Sequence, residues 1–358
     1  MSFEFGNDPA KIEGYKKFWR RDRVKRPLVG FSLKSWFPLD EFTASASWKK
    51  DEALRPEMII PEEFLDDQEK LLKEGDVMDD DILRGASASQ AVFWADGVLG
   101  CSMRVLPGNI AAESRNLSWE EIDKIGFDRG SPWYKKYLEF TSALVERSKG
   151  RYPVSPSCLN GPLDYVVSLR GHEQTAVDLM LDPEPAASLL ERMGSFFIAF
   201  AKETWQRIPL FYGGWYDAQY NIWAPETIVR LQEDAIAVLS PDLYKKYVRP
   251  VDERISADFG SAFIHLHATS MIVLDQMLEI PTLRCFQINN DVGGPPVSWL
   301  IPYLRQVQKA DKPLVIRGSF TPDELRLLVD SLEPAGLYLY IMVGDMKETE
   351  ALRPIVGM

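Results

Sequence analysis

Ala262-Phe263-Ile264-His265-Leu266-His267-Ala268-Thr269 carries two of the three histidines in the chain. Side chains at i and i+2 leave a β-strand on the same side, so His265 and His267 share one face while Ile264 and Leu266 share the other. A strand that is apolar on one side and bears two imidazoles on the other suits an α/β barrel. There the apolar side meets the helices, and the imidazoles look inward at the C-terminal mouth, where such barrels keep their chemistry.

The rest of the chain is consistent with that frame. Its 358 residues, 46% of them hydrophobic, can bury a large core and are expected to form one domain spanning 1–358, with a helical N-terminal extension over about 1–26. Forty-one basic against 53 acidic side chains give a net charge of −12, which repels nucleic acid and anionic membrane surfaces and favours a small-molecule protein. Three scattered cysteines, Cys101, Cys158 and Cys285, form no CxxC motif and suggest reduced thiols in the cytoplasm. The start, Met1-Ser2-Phe3-Glu4-Phe5, lacks the apolar stretch of a signal peptide. Composition leaves oligomeric state open, a homodimer included.

Short β-rich runs alternate with helical periodicity, the mark of parallel strands joined by crossover helices. Strands are expected at 27–33, 90–95, 152–157, 209–215, 262–267, 283–288, 313–317 and 337–343. Eight is the number of a (β/α)8 TIM barrel. A helix near 8–22 precedes the first strand with an apolar stripe of Ile12, Tyr15, Phe18 and Trp19. Thr321-Pro322-Asp323-Glu324 and Ser118-Trp119-Glu120-Glu121 predict capping boxes. Asp182-Pro183 and Ser240-Pro241 predict further helix starts, and Pro250 should kink or end the helix after Ser240. Asp79-Asp80-Asp81 reads as a solvated helix cap, and the basic run from Lys16 to Arg26 as a counterweight to the acidic surface.

Gln232-Glu233-Asp234, Leu239-Ser240-Pro241-Asp242-Leu243-Tyr244, Arg249-Pro250 and the histidine strand resemble the second half of the uroporphyrinogen decarboxylase superfamily. Gly161-Pro162-Leu163, Gly171-His172-Glu173 and Asp182-Pro183-Glu184 resemble its middle, and Leu99-Gly100-Cys101 the segment after its second strand. The resemblance implies a (β/α)8 barrel with its pocket in the C-terminal mouth. True decarboxylases hold an acidic tetrapyrrole with an arginine-glutamine-alanine-glycine-arginine-tyrosine motif after the first strand. In this chain Ser32 and Trp36 stand where the two arginines belong, and Ala91 where the essential aspartate belongs. Corrinoid-linked methyltransferases of the superfamily bind zinc through His-x-Cys on the fifth strand and a later cysteine on the eighth. His265 matches the histidine and His267 the cysteine, while no cysteine follows Cys285 and the eighth-strand region reads Tyr340-Ile341-Met342-Val343-Gly344-Asp345.

The two histidines could ligate zinc, act as acid and base, or donate to a bound carboxylate or phenolate; they could also be satisfied core groups. A third ligand would come from Glu233, Asp217 or Cys285, with Glu233 favoured because it resembles a superfamily pocket position. Asp217 follows Gly213-Gly214-Trp215-Tyr216 and is expected at the end of the fourth strand as a catalytic carboxylate. Trp215, Tyr216, Tyr220 and Trp223 would supply a stacking wall for substrate or pack barrel against loop. Gln287 and Asn289 share a face with Cys285 and would line the pocket. Arg317 would clamp a carboxylate or phosphate, or pair with Asp291 or Asp345.

The favoured expectation is therefore methyl transfer between a small methylated compound and a corrinoid protein, with zinc as Lewis acid. A lyase that decarboxylates a tetrapyrrole or small aromatic acid without cofactor is the second expectation, and a non-catalytic ligand-binding barrel the third.

Overall fold

The computed structural model describes residues 3–33, 39 and 42–358. Trp36 lies outside the described residues. The protein is an α/β structure built on a parallel sheet. Its principal strands are β1 (Leu28–Leu33), β2 (Ala86–Ser87), β3 (Val154–Ser155), β4 (Ile228–Gln232), β5 (Ser261–Leu266), β6 (Cys285–Asn289), β7 (Leu314–Gly318) and β8 (Leu337–Val343). Six of them form one parallel sheet in the order β1-β8-β7-β6-β5-β4, and β2 pairs in parallel with β3.

Helices cross between successive strands: Arg249–Ala257 before β5, Val297–Lys309 before β7, and Pro322–Ser331 before β8. Thr321 and Ser118 both close the expected capping boxes. Ser240 caps through its side chain, whereas Asp182 precedes the helix Pro183–Trp205 without a side-chain cap bond. Pro250 does not end the helix. Helical backbone runs from Pro241–Leu243 through a π-helical turn at Tyr244–Val248 and on into Arg249–Ala257, so the proline, which has no N–H to donate to the preceding turn, is accommodated by a π-helical turn directly before it.

Register sorts the side chains of the sheet into two faces. His265 lies beside Gln232 on β4 and Gln287 on β6, Asn289 beside Arg317, and Arg317 beside Tyr340. The opposite face carries Val229, Leu231, Ile264, Leu266, Phe286, Ile288, Leu314, Ile316, Leu339 and Ile341, all buried. Each such side chain contributes about 1.5–3 kcal/mol by leaving water, which fixes the register. The polar face is graded along the strands: Phe263, Cys285, Val315 and Tyr338 line its amino half, and His265, Gln287, Asn289, Arg317 and Tyr340 its carboxyl half.

Two strands differ from their sequence expectation. The second is Ala86–Ser87 rather than 90–95, a segment that turns into the helix Trp94–Val98. The fourth is Ile228–Gln232 rather than 209–215. Residues 211–224 instead form a hairpin insert, with Trp215–Asp217 antiparallel to Ile222–Ala224. Tyr212 and Gly213 both have positive φ and make the tight turn joining Phe211 to Gly214. A Cβ on Gly214 would stand 2.2 Å from the Trp223 ring, so this glycine makes room for an indole rather than for a ligand.

The N-terminal helix Lys11–Arg20 buries Ile12, Tyr15, Phe18 and Trp19 as its periodicity predicts. Tyr15 Oη donates to Asn221 O at 2.6 Å and Trp19 Nε1 to Trp223 O at 2.8 Å, so helix and hairpin are locked together. The basic run acts within the chain, with Arg20 on Asp22 and Arg26 on Asp81. Asp80 is not a solvated cap. Its buried carboxylate receives both Nη atoms of Arg84 at 2.8 Å and Phe31 N at 2.9 Å. Among the described residues no helix is long and apolar enough to cross a membrane.

Candidate functional site

The carboxyl ends of parallel strands are where open and closed α/β sheets bind ligands. Here they carry His265 at the end of β5 and His267 one residue past it. The two rings meet nearly at right angles with centroids 4.5 Å apart, and their Nε2 atoms lie 2.9 Å from each other.

Each ring is held from behind. His267 Nδ1 lies 2.8 and 2.9 Å from the two Asp291 oxygens, and His265 Nδ1 contacts Gln287 Oε1 and, at 2.7 Å, the Tyr220 hydroxyl. Gln287 Nε2 in turn donates to Asn289 Oδ1 at 2.9 Å, which directs its carbonyl oxygen toward the histidine. A carbonyl oxygen only accepts, so His265 Nδ1 carries the hydrogen and its Nε2 bears a lone pair. The proton between the rings therefore belongs to His267, whose Nδ1–H faces a carboxylate. When the pair holds a positive charge, it therefore sits on His267 rather than on His265.

The electrostatics agree. Burial, reinforced by the charge of His267 and of Arg230, pushes the His265 pKa well below 6.5. Burial also pulls His267 down, but the hydrogen bond and charge of Asp291, with Asp234 adding to them, outweigh it and raise its pKa above 6.5.

Asp234 Oδ1 lies 3.8 Å from His267 Nε2. Asp234, His265 and His267 form a group whose ligating atoms lie within 4.8 Å of one another. The third ligand candidate is thus Asp234 and not Glu233. The correction follows from strand parity: with β4 at Ile228–Gln232, Arg230, Gln232 and Asp234 alternate onto the histidine face and Glu233 falls on the helical face. There Glu233 Oε2 accepts from Leu163 N at 3.0 Å, at the start of the helix Pro162–Arg170. Gly161 admits this close approach, because a Cβ there would stand 2.0 Å from Gln232 O. Asp164 reciprocates by accepting from Asp234 N at 3.1 Å and Ala235 N at 2.8 Å, which holds the Asp234 backbone in place.

The other expected site residues scatter. Cys285 shares the histidine face but pairs with Phe263, one layer toward the amino ends, and is fully buried with its thiol pKa pushed up by burial. Asp217 ends the hairpin strand Trp215–Asp217, not a strand of the parallel sheet, and accepts from Tyr220 N at 2.8 Å. Burial raises its pKa, with Arg230 opposing. Trp215 packs edge-on against Trp205 at 4.8 Å and Trp223 Nε1 donates to Phe211 O at 2.8 Å, so both serve packing. Tyr216 Oη bonds to Leu83 O at 2.9 Å and to Asn221. Of the four expected aromatics only Tyr220 touches a histidine. Arg317 is buried on the histidine face with its guanidinium carbon 5.8 Å from the centre of the Tyr340 ring.

Sequence reasoning passed over Asp234 and Arg230, and offered Asp291 only as one of two alternative ion-pair partners of Arg317. Arg230 spans from β4 to the segment after β3, donating to Leu159 O at 3.2 Å, to Cys158 Sγ and to Gln232 Oε1 at 2.7 Å. No protein-family model matches this sequence, and no curated protein matches it at a significant level.

Proposed function

We propose that the eight strands close into a (β/α)8 barrel of the uroporphyrinogen decarboxylase type, and that its mouth is a metal-assisted methyltransferase site. Closure is supported by chain order and by two links to the β2–β3 pair. Asp81 N donates to Val29 O at 3.0 Å beside β1, and Arg230 reaches Leu159 O from β4. The methylated substrate would be a small molecule, and the methyl group would pass to or from a corrinoid carried by a partner protein.

The observation that carries this reading is the convergence of His265 Nε2 and His267 Nε2, 2.9 Å apart, with Asp234 beside them. The residues fit zinc. Two Zn–N bonds of about 2.0–2.1 Å at a tetrahedral angle hold their nitrogens about 3.3 Å apart, so the rings need to part by less than half an ångström. Both Nδ1 atoms already have the carboxylate or carbonyl partners that orient metal-bound histidines. Three protein ligands leave a fourth position for substrate, and zinc bound there supplies Lewis acidity toward the substrate heteroatom. The residues do the rest. Asp291 and Gln287 fix the ring planes, and Arg317 presents a buried cation toward any carboxylate or phenolate on the substrate. Loading requires His267 to give up its Nε2 proton.

Arg317 also supports a second reading, a cofactor-free carboxy-lyase in which the arginine holds a carboxylate and His267 returns a proton to the carbon that loses it. Elemental analysis separates the readings. Stoichiometric zinc in the wild type, lost in His265→Ala, His267→Ala and Asp234→Ala, together with methyl-donor-dependent methylation of cob(I)alamin, supports the first. A metal-free protein that releases CO2 supports the second. Absence of both activities, with ligand binding retained, identifies a binding barrel.

A further inference from the structure

Arg230, Gln232 and Asp234 occupy every second position along β4 and just past its end, so their side chains stand in a row on the histidine face. The row is bonded from end to end. Arg230 Nη1 donates to Gln232 Oε1 at 2.7 Å, Gln232 Nε2 donates to Asp234 Oδ2 at 2.5 Å, and Asp234 Oδ1 lies 3.8 Å from His267 Nε2. Gln232 also stands beside His265 in the β4–β5 register, so the row runs alongside the imidazole pair.

The direction of the Gln232 amide follows from the chemistry of its neighbours. A guanidinium has donors only and stays charged, so it faces the carbonyl end of the amide and not the NH2 end. Arg230 is itself fixed in place. It is only 5% exposed, and its other Nη atom donates to Leu159 O at 3.2 Å and to Cys158 Sγ, both in the segment after β3. The amide nitrogen must then point the other way, at Asp234. That N–H engages one carboxylate oxygen, while Asp164 accepts from Asp234 N at 3.1 Å and holds the backbone. Oδ1 is the oxygen left toward His267.

We infer that Gln232, anchored on Arg230, is a positioning residue that holds Asp234 Oδ2 and so makes Asp234 a one-oxygen ligand of the metal at His265 and His267. The inference rests on the mouth being a metal site. The Asp234 side chain is 49% exposed, and a carboxylate that far out in solvent samples several rotamers unless one of its oxygens is tied. A carboxylate that ligates through both oxygens fills two coordination positions, whereas one tied through Oδ2 fills a single position and keeps the fourth open for substrate. Tetrahedral zinc would put Oδ1 about 3.3 Å from His267 Nε2, so a pivot about the held oxygen that closes the gap by about half an ångström completes the ligand set.

The test is zinc titration in competition with a chromophoric chelator, with the cobalt(II) spectrum as a second readout. Gln232→Met, which keeps the length but has no donor, and Gln232→Asn, which keeps the amide but is one methylene too short to span Arg230 and Asp234, should each bind zinc about 10–100-fold more weakly than the wild type. Arg230→Met should weaken zinc as well, although deletion of a nearby positive charge would by electrostatics alone strengthen it. In an Asp234→Ala background Gln232→Met should change zinc affinity by less than about twofold, because Gln232 acts only through Asp234. Wild-type protein loaded with cobalt should show the intense visible bands of a four-coordinate ion, and Gln232→Met should lose intensity as both Asp234 oxygens or further waters enter. Zinc affinity unchanged in both Gln232 variants, an equal loss in the Asp234→Ala background, or tighter zinc in Arg230→Met would overturn this inference and leave the metal site standing. A wild type that binds neither ion would overturn both. The expected pattern in a protein that transfers no methyl group would retain this inference and remove the methyltransferase reading.

Discussion

Replacing Asp291 with asparagine separates the two effects of the carboxylate on the imidazole pair. In the wild type its oxygens lie 2.8 and 2.9 Å from His267 Nδ1. Asparagine keeps the carbonyl acceptor and deletes the charge. Loss of a carboxylate behind a metal-bound histidine lowers metal affinity by about 10–100-fold, or about 1.4–2.8 kcal/mol. The same carboxylate raises the His267 pKa above 6.5, so its removal lets that pKa fall. Metal needs the neutral ring, and affinity drops about tenfold for each pH unit below the pKa. The wild type therefore begins to lose zinc at a higher pH than Asp291→Asn does. At pH 8 the variant should bind zinc about 10–100-fold more weakly, and the gap should narrow as pH falls toward 5.5. Competition against a chromophoric chelator over pH 5.5–8.5 measures this. Equal affinities at pH 8, or a gap that widens on acidification, would refute the orientation assigned to His267.

Burial raises the Asp96 carboxyl from 3.8 to about 6, against hydrogen bonds from Ser168 Oγ at 2.6 Å and Asn160 Nδ2 at 3.1 Å. The folded state then keeps a proton that the unfolded state sheds, so this group's stabilisation is complete below pH 3.8 and is lost as pH rises to about 6. Asp96→Asn should lack that loss and gain about 3 kcal/mol on the wild type between pH 3.5 and 7.5 in urea titrations; parallel profiles would contradict it. Asp80→Ala should cost about 3–5 kcal/mol because it strands the buried Arg84 guanidinium, and a change under 1 kcal/mol in chemical denaturation would show that the pair contributes little. Uroporphyrinogen should not be converted to coproporphyrinogen at an appreciable rate, since Ser32 and the buried Ala91 offer no charge to its propionates or pyrroles. Steady turnover in a porphyrin fluorescence assay would count against that.

What could be read in the sequence was whatever depended on local period. The i, i+2 histidines reveal their shared face without any neighbour, and Thr321-Pro322-Asp323-Glu324 fixes a helix start within four residues. The fourth strand failed for a physical reason. Leu210-Phe211-Tyr212 is apolar and aromatic and suits a strand, whereas Ile228-Val229-Arg230-Leu231-Gln232 alternates and puts its polar residues inside. An apolar-run template for buried parallel strands misses a strand whose inner face is polar. That one displacement carried Asp217 to the end of a parallel-sheet strand, whereas it ends a hairpin strand, and hid the parity that puts Asp234, not Glu233, beside His267. Asp291 was out of reach for a different reason, because its meeting with His267 depends on the β5–β6 register that sets His265 against Gln287.

The graded inner face explains why the site lies where it does. At the amino half, Tyr338 Oη donates to Tyr220 O at 3.0 Å and Phe18 packs edge-on against the Tyr338 ring at 6.2 Å. Asn221 Nδ2 donates to Tyr340 Oη at 2.8 Å. The hairpin and the N-terminal helix thus fill this face from the amino side with bonded hydroxyls and amides. Tyr220 is the boundary: below it these hydroxyls and amides bond within the chain, and above it stand two imidazoles with facing Nε2 atoms and the exposed Asp234 carboxylate. The reactive groups of this face are therefore gathered at the carboxyl ends of the strands, where parallel sheets meet their ligands.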